Sequence, residues 1–267
     1  MYNVNMISEK AYREFNLKGK GRRIPGGQDN SYLFGDVFVK KNDGDNVNIE
    51  LICNILSNVR SDKYRVPKPI RSNNGTYISD GYIASEFVEG RHDLGNIERT
   101  LELSVVFNKD IKKYDISLMK EENTQWAIGM DIIFRNREIP DYVKHDNLKL
   151  CLDMMQKLEP VNDPLQIIHA DMGGNILYSK GQLPCIIDFS PCIAPALMAE
   201  AIIIVDHIAW EEENHSKFDL LQTPSIYIKY AVMFRLLSAL CKKGDDGRLF
   251  ESELKAYRGV WDLSMIL

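Results

Sequence analysis

Asp171, Asn175 and Asp188 are the residues whose types and order could do chemistry together. Asp171 ends an apolar run, Ile167-Ile168-His169-Ala170, and Asp188 ends another, Cys185-Ile186-Ile187. Asn175 lies four residues after the first carboxylate, and Lys180-Gly181 form a turn between the runs. A short hairpin over 167–190 would bring both carboxylates to one point. Hard oxygen donors there suit magnesium, and a carboxylate beside them can take or orient the proton of an attacking hydroxyl. Those are parts of a phosphoryl-transfer site. Asp171 is thus the candidate catalytic carboxylate, and Asn175 and Asp188 are candidate metal ligands. His169, beside two buried isoleucines, reads as a brace for the loop rather than a proton carrier.

The bulk of the chain must position these groups. Its 267 residues are 45% hydrophobic and 27% charged, enough apolar content for a sizeable core in one or two domains. A formal net charge of −5 argues against a nucleic-acid binder. The basic cluster Lys18, Lys20, Arg22 and Arg23 reads as a solvated lead-in to a strand. Five cysteines, without Cys-x-x-Cys spacing, suggest neither a zinc site nor a disulfide framework. With no signal-peptide pattern at the N-terminus, a reducing cytoplasm is the expected compartment. The apolar run Ile193–Trp210 carries Glu200 and Asp206, so it reads as a buried helix and not a membrane span.

Periodicity divides the chain near Glu89-Gly90. Before it, a helix within Ile7–Leu17 precedes strands over Arg22–Pro25, Ser31–Phe34 and Val37–Lys41. A helix over Asn46–Asn58 follows, then strands near Ile70–Ser72, Thr76–Ser79 and Tyr82–Val88. After it come helices near Asn96–Asn108, Glu122–Arg135 and Asp146–Glu159, then the 167–190 hairpin. Helices near Pro195–Trp210, Ser225–Lys243 and Arg248–Ser264 complete the chain. Thr223 and Pro224 suit the start of the Ser225 helix. The expectation is an α+β fold with a small β-rich N-terminal lobe, residues 1–89, and a larger, mainly helical C-terminal lobe, residues 90–267.

The N-terminal half offers further parts. Gly26-Gly27-Gln28-Asp29-Asn30-Ser31 is a Gly-rich turn whose N–H groups could approach phosphate oxygens, although Asp29 would repel them. No Gly-Lys-Ser/Thr follows, so it is not a Walker A loop. Lys40 could neutralise phosphates, with Lys41 as its rival on the opposite strand face. Glu50, flanking the apolar stripe of its helix, could hold Lys40. Glu211, Glu212 and Glu213 could attract a cation or simply form a solvated helix end.

This order of parts resembles the aminoglycoside phosphotransferase and choline kinase-like branch of the protein-kinase-like superfamily. The resemblance runs from the Gly-rich hairpin through Val37-Phe38-Val39-Lys40, Glu50 and Glu86-Phe87-Val88-Glu89-Gly90. It continues through His169-Ala170-Asp171, Asn175 and Ile187-Asp188-Phe189. The stretch from His169 to Asp206 is most similar to an actinobacterial-type subfamily. The resemblance implies a bilobal protein-kinase-like fold with ATP or GTP between the lobes. It also implies a cytoplasmic, Mg²⁺-dependent kinase acting on a hydroxyl of a small molecule, such as an aminoglycoside- or choline-like acceptor, with no nucleic-acid or membrane partner. By it, Gly26, Gly27 and Ser31 would approach the phosphates, Lys40 would touch them and Glu50 would anchor Lys40. The backbone of Glu86 and Val88 would receive the base, Asp171 would be catalytic, and Asn175 and Asp188 would hold the metal. Two departures stand out: the pattern has Asn five residues after the catalytic Asp, not four, and glycine where Ala170 stands. The shortened loop motivates an alternative, a nucleotide-binding pseudokinase acting as a scaffold. A protein kinase is disfavoured, because no long activation segment fits between Asp188 and Glu200.

Overall fold

The structure is a computed structural model that describes residues 7–24, 30–42, 47–93, 95–143, 147–210 and 224–265. The fold is α+β and bilobal, with a β-rich N-terminal lobe and a larger helical C-terminal lobe. Packing separates one compact unit, Met1–Arg91 with Leu177–Ile187, from a second, His92–Ile176 with Asp188–Leu267.

The first unit is built on a six-stranded antiparallel sheet. Its strands are β1 (Arg22–Arg23), β2 (Ser31–Phe34), β3 (Val37–Lys41), β4 (Pro69–Ile70), β5 (Ile78–Ser79) and β6 (Tyr82–Glu86). The order is β1-β2-β3-β6-β4, with β5 also paired to β6. A two-residue turn, Gly35-Asp36, closes β2 onto β3, pairing Phe34 with Val37 and Ser31 with Lys40. Gly35 adopts φ 62°, a value that L-residues disfavour. Helix α1 (Glu9–Glu14) starts at Ser8, whose hydroxyl accepts the Ala11 N–H. Ile7, Ala11, Phe15 and Leu17 then pack on Phe34, Val39 and Ala84 of the sheet.

Helix α2 (Ile49–Asn58) buries Ile49, Ile52, Cys53 and Ile55 and leaves Glu50 on an exposed edge. Cations satisfy its C-terminal carbonyls: Lys68 Nζ donates to Leu56 O at 2.9 Å and Val59 O at 3.1 Å, and Arg60 donates to Ser57 O.

The second unit carries helices α3 (Ile97–Ile111), α4 (Gln125–Phe134), α5 (Asn147–Met155), α6 (Ala196–Trp210), α7 (Ser225–Leu240) and α8 (Arg248–Ser264). Helix α7 is buried on nearly every side and packs against α4, α6 and α8. Pro224 is its N-cap rather than its first helical residue, and Thr223 lies outside the described residues.

The α4–α7 crossing is close because Gly129 has no side chain. A Cβ there would sit 2.9 Å from Ser238 N and 3.2 Å from Ser238 Cα. Gly129→Ala should therefore destabilise the protein by about 1–3 kcal/mol despite alanine's better helix propensity. Urea unfolding of the variant measures this.

The 167–190 stretch departs from the expected single hairpin. Strand β7 (Leu165–His169) pairs antiparallel with β10 (Pro191–Pro195), aligning His169 with Pro191. Two shorter strands, β8 (Ile176–Leu177) and β9 (Cys185–Ile186), form a separate ribbon around the Lys180-Gly181 turn. The apolar run read as the entry to a helix thus begins as a strand. Pro195 ends it, and α6 starts at the next residue. Burial on both faces hides the alternation that marks a strand, so periodicity could not separate Pro191–Pro195 from the helix.

Candidate functional site

The ribbon β7–β10 sets the backbone of the site. Its outer flank is held by Asn108 on α3, whose Oδ1 accepts the His169 N–H at 3.0 Å, while its carbonyl accepts Gln166 Nε2 at 2.9 Å. Ser104 Oγ accepts from Asn108 Nδ2 and fixes the amide's orientation. Beyond β7, Ala170 N–H donates to Ser190 O at 2.9 Å, carrying the pairing to the residue before Asp171. Asp171 and Asp188 therefore leave the same end of the ribbon, Asp171 from one strand and Asp188 from the other.

His169 is 1% exposed. Its ring meets Phe107 at 6.0 Å and Phe189 at 5.4 Å, both edge-on. Its Nδ1 accepts the Asp171 N–H at 3.2 Å. Those contacts brace the loop.

The loop itself is a tight turn. Asn175 N–H donates to Met172 O at 3.0 Å, and Gly174 takes φ 75°. Asn175 Nδ2 donates to Asp171 O at 2.7 Å and approaches Asp171 Oδ2 at 3.3 Å. The four-residue spacing thus closes as a hydrogen-bonded unit, and Asp171 and Asn175 lie side by side. Asp171 keeps 48% of its side chain exposed. Asp188 is exposed and sits at φ 48°, and Ser190 Oγ donates to its carbonyl at 3.0 Å. A non-glycine residue in that region, at the end of a ribbon, is a local cost held by its surroundings.

Asn175 and Asp188 carry oxygens of the hard type that magnesium takes. Asn175 uses its nitrogen within the loop, and Asp188 is an exposed residue. Two hard oxygens are what magnesium takes from protein when phosphates and water complete its shell. Among the described residues, no group of three or more His, Cys, Asp or Glu is arranged to hold a metal.

In the first unit, Ser31 and Lys40 are cross-strand partners on β2 and β3. Glu50 Oε1 accepts the Tyr77 N–H at 2.8 Å, which ties α2 to the approach to β5. Glu86 N–H and Phe87 N–H are committed to Lys68 O and Asp36 O. Among the described residues no partner meets the Val88 N–H, and the Glu86 carbonyl accepts the Ser85 hydroxyl at 3.3 Å. Gly26 and Gly27 lie outside the described residues, as do Glu211, Glu212 and Glu213.

Sequence reasoning missed the group that holds Asp171 from behind. Arg235, on α7, is 8% exposed. One of its terminal nitrogens donates to Asp171 Oδ1 at 3.0 Å and also to Asp206 Oδ2, while Nε donates to Asp206 Oδ1 at 2.9 Å. Asp206, on α6, also accepts the Tyr257 O–H at 2.6 Å, and Tyr257 accepts from Trp210 Nε1 at 2.9 Å. Burial opposes the guanidinium charge, but the carboxylates of Asp206 and Asp171 outweigh it and raise the Arg235 pKa. Burial and the Asp206 carboxylate push the Tyr257 phenol up, keeping it a donor. The available signal was an acid in one apolar helix and a base in another, Asp206 in α6, which also carries Glu200, and Arg235 in α7, which also carries Lys229; a buried charge needs a partner.

The same side chains line a cavity of about 410 Å³ within the second unit. Its walls include Trp126, Asp206, Trp210, Arg235, Glu253 and Tyr257, and Gly173 and Gly174 of the Asp171–Asn175 loop also line it. Burial raises the Glu253 pKa, with Asp206 adding to the rise and Arg235 opposing it. A carboxyl with a raised folded-state pKa binds more protons folded than unfolded between the two values. Stability is therefore lost as pH rises from the ordinary glutamate value of 4.5 through the folded one. Glu253→Gln should gain stability relative to the parent as pH rises through that window and keep the gain at pH 7. Paired thermal melts from pH 4 to 8 read the difference.

All five cysteines are free and buried, and burial pushes Cys53 and Cys151 up to about 12 and Cys185 and Cys241 up to about 11. None of the described helices is long and apolar enough to cross a membrane.

No family model matches the sequence, and no curated protein matches it. Solved structures do match in fold. A thermostable mutant of aminoglycoside phosphotransferase APH(4)-Ia aligns at TM-score 0.61 and 14% identity, covering 96% of this chain and 97% of that one. Choline kinase LicA from Streptococcus pneumoniae aligns at 0.59 and 15%, with the same coverages of 96% and 97%. Amicoumacin kinase hAmiN, in complex with AMP-PNP, Ca²⁺ and Ami, aligns at 0.56 and 14%, covering 99% of this chain and 86% of that one. At these identities the likeness is one of fold. The chain shares the bilobal, protein-kinase-like architecture of aminoglycoside phosphotransferases and choline kinases.

Proposed function

We propose that this protein is a small-molecule kinase that moves the γ-phosphoryl group of ATP or GTP to a hydroxyl of a small acceptor. One observation carries the reading: Asp171 is half-exposed at the end of a braced ribbon, beside Asn175, in a loop whose Gly173 and Gly174 line the acid- and aromatic-walled cavity. The fold shared with kinases of antibiotics and of choline supports it.

In this reading Asp171 orients the acceptor hydroxyl and takes its proton as the new O–P bond forms. Asn175 and Asp188 hold magnesium, which when bound neutralises phosphate charge and orients the transferring group. Ser31, Lys40, Glu50 and the backbone of Glu86 and Val88, with Gly26 and Gly27, form the nucleotide-binding part, residues 1–89; residues 90–267 carry the catalytic and acceptor part. The cavity suits an acceptor bearing both a hydroxyl and a cation. Trp126, Trp210 and Tyr257 offer ring faces, and Glu253 offers a carboxylate.

A second reading is a nucleotide-binding module without transfer, and the ion pair that occupies Asp171 Oδ1 favours it. Thermal shift with ATP and GTP, with and without Mg²⁺, alongside an acceptor screen separates the two. Magnesium-dependent binding with no transfer to any acceptor would select the module; acceptor phosphorylation lost in Asp171→Ala would select the kinase.

A further inference from the structure

We propose that Arg235 is a positioning residue that divides the work of the Asp171 carboxylate, holding Oδ1 so that Oδ2 meets the acceptor hydroxyl. The inference rests on the kinase reading above.

The two oxygens of Asp171 have different surroundings. Oδ1 accepts Arg235 at 3.0 Å; Oδ2 faces the Asn175 amide at 3.3 Å. A guanidinium shared between two carboxylates has little freedom to swing. Here Asp206 takes two of its N–H groups, and Trp126 and Phe234 lie against its faces at 5.5 and 5.3 Å. Asp206 is in turn fixed by Tyr257, and Tyr257 by Trp210. Helices α6, α7 and α8 thus aim one carboxylate, and the residues that do so also wall the cavity. The acceptor would meet the positioning chain and the reacting oxygen together.

In the step itself the acceptor oxygen forms its bond to the γ-phosphorus, and the bond from that phosphorus to the β,γ-bridging oxygen breaks. The acceptor proton passes to Asp171 Oδ2, and the nucleoside diphosphate leaves with the bridging electron pair. Arg235 takes no proton. Its contribution is geometric, and misplacing a reacting group by an ångström or so costs about 10²-fold.

The test compares the full-length parent with Arg235→Lys, Arg235→Ala and Asp171→Ala. It follows phosphorylation of whichever acceptor a screen of amino alcohols and aminoglycosides identifies, at saturating Mg-ATP or Mg-GTP. Lysine keeps the charge but lacks the fork that spans both carboxylates. Arg235→Lys is expected to lose about 10–100-fold in kcat while the KM for nucleotide stays within threefold. Guanidinium ion added to Arg235→Ala should restore at least tenfold of its lost rate and restore nothing to Asp171→Ala. Should Arg235→Ala fail to fold, the Arg235→Lys kinetics decide alone. A folded Arg235→Lys with parental kcat, while Asp171→Ala is inactive, would overturn the positioning role and leave the kinase reading intact. Asp171→Ala turning over at the parental rate, or a parent inactive with every acceptor, would overturn both.

Discussion

Asp171→Asn should fold as the parent does and lose about 10³-fold in kcat, close to 4 kcal/mol of transition-state stabilisation. The substitution is nearly isosteric. Its amide oxygen can still accept from Arg235 in place of Oδ1; its nitrogen loses the weaker bond that Oδ2 accepts from Asn175, while the Asn175 bond to the backbone carbonyl of residue 171 keeps the loop closed. What it lacks is a group able to take the acceptor proton. Nucleotide affinity, measured by titration with Mg-ATP, should change less than threefold, because the role proposed for Asp171 lies on the acceptor side of the reaction. A variant with parental kcat would remove Asp171 from the chemistry. One that fails to bind nucleotide would make it a structural residue of the metal site.

Arg235→Met should cost about 3–5 kcal/mol of folding stability, the largest such effect expected outside the apolar core. The cost comes from what it leaves behind. Asp206, with 19% of its side chain exposed, would keep only the Tyr257 hydroxyl against its charge. Removing that charge as well should recover much of the loss, so Arg235→Met with Asp206→Leu is expected to be more stable than Arg235→Met alone. Chemical unfolding of the two single variants and the double variant closes the cycle. Additive effects would contradict the pairing of these residues.

The outline of the fold was readable because local rules agree with tertiary ones over most of the chain. The Gly35-Asp36 turn joins the strands expected over Ser31–Phe34 and Val37–Lys41, Ser8 caps the helix expected within Ile7–Leu17, and Ile49, Ile52 and Cys53 form the buried face of the helix expected over Asn46–Asn58. The order Asp171, Asn175, Asp188 likewise located the ribbon end. Strand pairing over 165–195 was not readable. Lys180-Gly181 is a valid turn signal and does close a ribbon, but of strands only two residues long. The pairing that sets Asp171 against Asp188 is the more distant one, between Leu165–His169 and Pro191–Pro195, and no local signal specifies it.

The positioning chain was hidden for a similar reason. Asp206, Arg235 and Tyr257 lie on three helices, each of whose periodicity explains only its own apolar face. Asn108 was hidden too, since an amide within an amphipathic helix reads as surface until a strand edge is found waiting for its oxygen. Glu50 Oε1 also accepts the Tyr77 N–H, an acceptor role that any carboxylate near a strand start can fill and that the sequence did not announce.

Phosphoryl transfer by Asp171 and its neighbours to a small hydroxylated acceptor is read by ³¹P NMR of Mg-ATP and Mg-GTP reactions across a panel of amino alcohols and aminoglycosides, with Asp171→Ala as the blank. A new phosphomonoester signal is expected that grows with loss of the γ-phosphate signal, requires Mg²⁺ and is absent from the blank. A phosphomonoester that forms equally in the blank, or no transfer to any acceptor at any magnesium concentration, would contradict it.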